Sequence, residues 1–155
     1  MNECKPLVVG TKIVFCPNNA DHVGVLDTSD NSFNTIATGV GSTKYWGGAA
    51  VGTRVVCAPY TQNNVGVFDT ADNTFTTFDT TGVTGNPKYR GAAVVGAKVY
   101  FGPVNEDNVG VFDTSADTFS SIAITVPDGQ SDRQIYKYSG AVAVGTKAGR
   151  CRLTV

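Results

Sequence analysis

Asn64–Thr70 reads NVGVFDT, and Asn108–Thr114 reads NVGVFDT again. His22–Thr28 reads HVGVLDT, the same phrase with two changes. The glycine of the phrase falls at Gly24, Gly66 and Gly110. Other features keep the same spacing. A Val-Gly turn recurs at Gly10, Gly52, Gly96 and Gly145, and a proline at Pro17, Pro59 and Pro103. Lys44-Tyr45, Lys88-Tyr89 and Lys137-Tyr138 are each followed by a glycine, Gly47, Gly91 and Gly140. An aromatic follows each Asp-Thr pair, at Phe33, Phe75 and Phe119. Independent features sharing one period mark a structural repeat rather than a chance recurrence.

The third unit shows how one repeat folds. GAAVV (91–95) and KVYFG (98–102) read as strands around the Gly96-Ala97 turn. Pro103 ends the second strand, because proline cannot donate to a ladder. VGVF (109–112) is a third strand, and 113–117 form a turn rich in Asp, Ser and Thr. TFSSIAI (118–124) is a fourth. The strands are β-branched and aromatic, as strands prefer. VGVF is nearly continuous in apolar residues, which suits a sheet packed on both faces. Its glycine lets a neighbouring side chain come close.

Four short antiparallel strands per unit, at a period in the forties, predict an all-β fold. The expected architecture is a partial β-propeller of three four-stranded antiparallel blades plus the start of a fourth. The units run over 7–44, 45–88 and 89–137, with a truncated unit at 138–155. The whole chain, 1–155, is a single domain or a fragment of one. Propellers close with 4–8 blades, so the arc is expected to be completed by further blades of a longer chain, by a second copy, or by docking on a larger assembly.

Leu26-Asp27-Thr28 with Phe33, Phe68-Asp69-Thr70 with Phe75, and Phe112-Asp113-Thr114 with Phe119 carry a further likeness. In this spacing the chain resembles Kelch-repeat propellers, which place an aromatic six residues after the Asp of a Tyr-Asp-Pro phrase. It departs from them at Cys16-Pro17, Ala58-Pro59 and Gly102-Pro103, which stand in place of a double glycine. Thr also replaces Pro, and Phe replaces Trp. The resemblance implies a binding or scaffold module acting on a protein partner through its loop face. It also takes in copper oxidases of the galactose oxidase type, which hold their metal with several His and Tyr side chains. With His22 as the one histidine, the sequence predicts no metal, no cofactor and no catalytic residue, and so no enzyme.

Faithful repetition points to structure. Asp27, Asp69 and Asp113 are expected to start hairpin turns, and Gly24, Gly66 and Gly110 to make room for packing. Function is expected where the copies disagree. Trp46 and Tyr60 break the repeat, and the longest blade-joining loop carries Asp128, Asp132, Arg133 and Tyr136. These six are the candidate binding residues. A carbohydrate is the alternative ligand, held by aromatic rings and Asn or Asp side chains. A purely structural subunit in a larger assembly is another alternative. Lys44, Lys88 and Lys137 either form a basic ring or pair with nearby carboxylates. Pairing is favoured by the balanced charge of 12 Lys plus Arg against 13 Asp plus Glu.

That balance, with no basic run, argues against nucleic acid. No apolar window is long enough for a membrane span. MNECKPLVVG lacks the features of a secretory leader, so a cytoplasmic protein is expected. Cys4, Cys16, Cys57 and Cys151 are accordingly expected to be free, mostly buried thiols.

Overall fold

The computed structural model describes residues 7–41, 44–125, 137–138, 140–144 and 147–150. These residues form strands and turns only. Strands β1 (Leu7–Val9), β2 (Lys12–Phe15), β3 (His22–Asp27) and β4 (Ser32–Ala37) make the first sheet. The second contains β5 (Tyr45–Val51), β6 (Arg54–Pro59), β7 (Asn64–Asp69) and β8 (Thr74–Asp79). The third contains β9 (Tyr89–Val95), β10 (Lys98–Pro103), β11 (Asn108–Asp113) and β12 (Thr118–Ala123). A hairpin of β13 (Ala141–Val144) and β14 (Lys147–Arg150) begins a fourth. Every pairing is between neighbours in sequence and antiparallel. The fold is the all-β arc of propeller blades that the repeat predicts.

Each four-stranded sheet meets the next face to face, so the core lies between blades. Val14, Val23 and Val25 of the first blade cluster with Val55, Cys57 and Phe68 of the second. Val56, Ala58, Val65 and Val67 of the second cluster with Tyr89, Val99, Phe101 and Phe112 of the third. Within β6, Val55 and Cys57 therefore face one neighbour while Val56 and Ala58 face the other. This two-sided burial is why the strands are apolar in runs rather than in alternation. The Phe78 ring of the second blade lies 5.1 Å from that of Phe112 in the third.

The glycine of NVGVFDT sits under two aromatic rings. A Cβ on Gly66 would stand 2.6 Å from the Phe75 ring and 2.8 Å from that of Tyr45. At Gly110 the corresponding distances to Phe119 and Tyr89 are both 3.0 Å. The asparagine of the phrase accepts a hydrogen bond from the same tyrosine, Tyr45 to Asn64 and Tyr89 to Asn108. Burial pushes both phenols well above their ordinary pKa of 10.0. In the first unit the tyrosine position holds Glu3. There His22 replaces Asn and bonds Asp21 instead, at 2.9 Å.

The aspartate of the phrase caps its own hairpin. Asp27, Asp69 and Asp113 accept from the N–H two residues on, at Ser29, Ala71 and Ser115, over 2.9–3.0 Å. Hydrogen bonds from Ser29 hold the Asp27 carboxyl below its ordinary pKa, and Lys98 does the same for Asp113. The turns close through Asn31, Asn73 and Asp117, all at positive φ, which Asn and Asp tolerate better than other side chains.

The expectation of free thiols is corrected for two of the four cysteines. Cys16 and Cys57 form a disulfide between the first and second blades, Cα atoms 5.8 Å apart. The repeat brings the two positions together when adjacent sheets stack, although 41 residues separate them in sequence. Cys4 and Cys151 lie outside the described residues.

Candidate functional site at the inner edge

First strands form the inner edge of the arc. β5, β9 and β13 run close together there, with glycines at the contact. A Cβ on Gly47 would lie 3.2 Å from Gly91 Cα, and one on Gly91 would lie 3.0 Å from Gly140 Cα. Gly47 and Gly91 also take positive φ values of 75° and 68°. The Lys-Tyr-x-Gly repeat is thus the signature of blades crowding at the inner edge.

The lysine of that repeat is tied down. Lys44 and Lys88 are buried, and each reaches back to the loop between the second and third strands of the blade before it. Lys44 donates to the Ala20 carbonyl, Lys88 to that of Thr61 at 3.4 Å. Lys137 donates to the Asn105 and Glu106 carbonyls, both at 3.3 Å, and pairs with Asp107. Among the described residues only Lys137 has the carboxylate partner expected for all three. Burial pulls the Lys88 ammonium below its ordinary pKa, partly offset by the nearby Glu106. Glu106 is itself buried and accepts from Gly85 N–H and, at 3.2 Å, from Asn108 Nδ2. These bonds lock the loop-bearing end of one blade to the next.

Against this fixed background, Trp46 and Tyr60 stand together. Their ring centroids are 5.1 Å apart. Trp46 follows Tyr45 at an irregularity in the β5–β6 register, and Tyr60 follows Pro59 at the end of β6. Tyr60 N–H bonds the Lys44 carbonyl at 2.9 Å, which seats Tyr60 beside the start of β5. Arg90, the residue after Tyr89, lies over the indole with Cζ 4.1 Å from the ring centroid. Trp46 and Arg90 occupy the same position in neighbouring units. Trp46 and Arg90 are half-buried; Tyr60 is buried. A guanidinium on an indole face is attracted by the ring quadrupole.

The structure thus joins two of the six sequence candidates and adds Arg90. Arg90 carries a sequence signal in hindsight: its position reads Trp46 in the preceding unit, so the copies disagree there. Asp128, Asp132, Arg133 and Tyr136 lie outside the described residues. Among the described residues no group of three or more His, Cys, Asp or Glu is placed to hold a metal ion. No helix among them is long and apolar enough to cross a membrane.

No protein-family model and no curated protein matches the sequence. The fold is similar to solved structures of virginiamycin B lyase from Staphylococcus aureus, a β-propeller. One is a catalytically inactive variant with quinupristin, at TM-score 0.69 and 14% identity, covering 88% of this chain and 43% of that one. Another is the selenomethionine-substituted lyase, at TM-score 0.66 and 13% identity, covering 89% and 44%. The chain spans less than half the length of these proteins. The likeness establishes the propeller fold; it does not establish the Kelch type. It also corrects the expectation that the chain is not an enzyme, since the similar propellers are those of an enzyme.

Proposed function

We propose that this chain recognises a protein segment at the loop-bearing end of its inner edge, through Trp46, Tyr60 and Arg90. The supporting observation is convergence: three residues, from two repeat positions at which the copies disagree, meet within one cluster. Among the described residues the Arg90 guanidinium meets the indole and no carboxylate. A guanidinium fork matches a carboxylate through two parallel hydrogen bonds. The partner that fits presents an Asp or Glu side chain, or a terminal carboxylate, beside an apolar group for the Trp46 ring. The half-exposed indole favours a glycan as the second reading, but Arg90 covers one of the ring faces on which a sugar would stack.

Trp46 is the only tryptophan, so its fluorescence reports on the site directly. Titration with an array of Asp- and Glu-bearing peptides is expected to give saturable changes. Arg90→Ala is expected to weaken binding at least about tenfold, the loss of one good charge-assisted contact. Arg90→Lys restores only part, because an ammonium lacks the fork. Peptide binding unchanged in Arg90→Ala would overturn the assignment. Saturation by neutral oligosaccharides alone would overturn the protein reading in favour of the glycan.

For location we infer an oxidising compartment in place of the expected cytoplasm, because structural disulfides such as Cys16–Cys57 persist there. Labelling by a thiol reagent of Cys16 and Cys57 in freshly isolated protein would contradict this.

A further inference from the structure

The surface that each blade turns to the blade before it is built from five repeat positions. In the second blade they hold Ala50, Val55, Cys57, Phe68 and Phe75. In the third they hold Val94, Val99, Phe101, Phe112 and Phe119. All ten are buried or packed against the interface. In the first blade they hold Val8, Ile13, Phe15, Leu26 and Phe33. There Val8 is 57% exposed, Phe15 46% and Phe33 58%, with the two phenylalanine rings 6.2 Å apart.

What covers this surface inside the arc is always the back of a blade. Leu7 and Val9 of the first blade lie against the second, and Ala49 and Val51 of the second lie against the third. The β13–β14 hairpin carries Val142 and Val144 at the same positions, 48% and 70% exposed. Among the described residues the first blade's face thus lacks a cover, and the hairpin offers one.

A polar clasp repeats alongside. Lys12 Nζ donates across the blade boundary to the Thr70 carbonyl at 3.2 Å, and Arg54 Nη1 to that of Thr114 at 2.8 Å. Lys98 pairs with Asp113 of its own blade at 2.6 Å. Thr28 holds the position of Thr70 and Thr114, and no described side chain reaches its carbonyl. Lys147 pairs with Val144 in the strand register as Lys12 pairs with Val9.

We propose that a second copy of this chain covers the first blade, with the β13–β14 hairpin of each copy seated on the Val8–Phe15–Phe33 face of the other. Two such contacts about a two-fold axis close a ring. The interface continues those already inside the arc, and a net charge of −1 does not oppose it.

Light scattering on the purified full chain is expected to give twice the 16.2 kDa mass. Phe33→Glu is expected to yield a folded monomer, with its sheet circular dichroism kept and dissociation at least about tenfold easier. The ring edge is exposed within one chain, so folding does not depend on it. Thr77→Glu, exposed on β8, is expected to leave the dimer intact. A monodisperse wild-type monomer would overturn the proposal. So would a dimer indifferent to Phe33→Glu, or assemblies larger than two.

Discussion

The first and second blades carry the same repeated phrases and live in different surroundings. The second is covered on both faces; the first is covered on one. Phe68 is 0% exposed, whereas Leu26 at the same repeat position is half-buried. Cys57 is buried in a disulfide, whereas Phe15 at the same position is 46% exposed. A residue's place in the repeat sets its strand and face, and its place in the arc sets its burial. Identical substitutions in the two blades should therefore have unequal costs.

The largest contrast is expected at the phenylalanine of the phrase. Phe68→Ala and Phe112→Ala should each cost about 3–5 kcal/mol, the range for truncating a fully buried Phe. Leu26→Ala should cost less within one chain. Its effect should instead depend on protein concentration, because partner binding links association to stability. Urea denaturation at two protein concentrations separates the cases. Equal, concentration-independent costs would erase the contrast.

The disulfide comes next. Cys57→Ser removes the link between the first two blades and should cost about 2–4 kcal/mol, the usual range for a native disulfide. Reduced and oxidised wild-type protein should differ by a similar amount in thermal unfolding. No difference would mean that packing alone holds the two blades together.

A smaller contrast is expected at the glycines. Gly66→Ala pushes a methyl into Phe75 and Tyr45, both packed, and should cost about 1–3 kcal/mol. Gly24→Ala meets Phe33 at 2.8 Å, but within one chain that ring is exposed and has room to turn away. Its cost should be the lesser of the two in the same denaturation series.

The smallest effect is that of pH on the hairpin caps. Asp27, Asp30, Asp72 and Asp113 all sit below their ordinary value of 3.8, through hydrogen bonds from Ser29, Ser32 and Thr74 and through Lys98. Depressed carboxylates stabilise the fold above the unfolded value and lose that contribution as pH falls through the folded one. Stability should be level above about pH 5 and decline below about pH 4, gently, since Asp30 and Asp72 are exposed and Asp27 and Asp113 are only half-buried. A rise in stability on acidification would contradict this assignment.

These contrasts also mark what the sequence makes legible. Strand order, hairpin aspartates and the glycine of the phrase are local or within one blade, and periodicity exposes them. Features that cross a blade boundary are not. Cys16 meets Cys57, and Trp46 meets Arg90, only once adjacent sheets are stacked. In sequence, the first pair sits at neighbouring rather than identical repeat positions. Charge balance predicts carboxylate partners for Lys44 and Lys88, but both meet backbone carbonyls, which no side-chain pattern encodes. The lyase likeness, at 13–14% identity, is one of fold and leaves no motif in the sequence to find.

The central claim is that the open face of the first blade repeats the interface between the first two. Phe15, 46% exposed, holds the repeat position of Cys57, which is buried between the first two blades. Phe15→Glu should therefore turn the wild-type dimer into a folded monomer in sedimentation equilibrium. A wild-type chain that sediments as a monomer, or a dimer unmoved by Phe15→Glu, would contradict the claim.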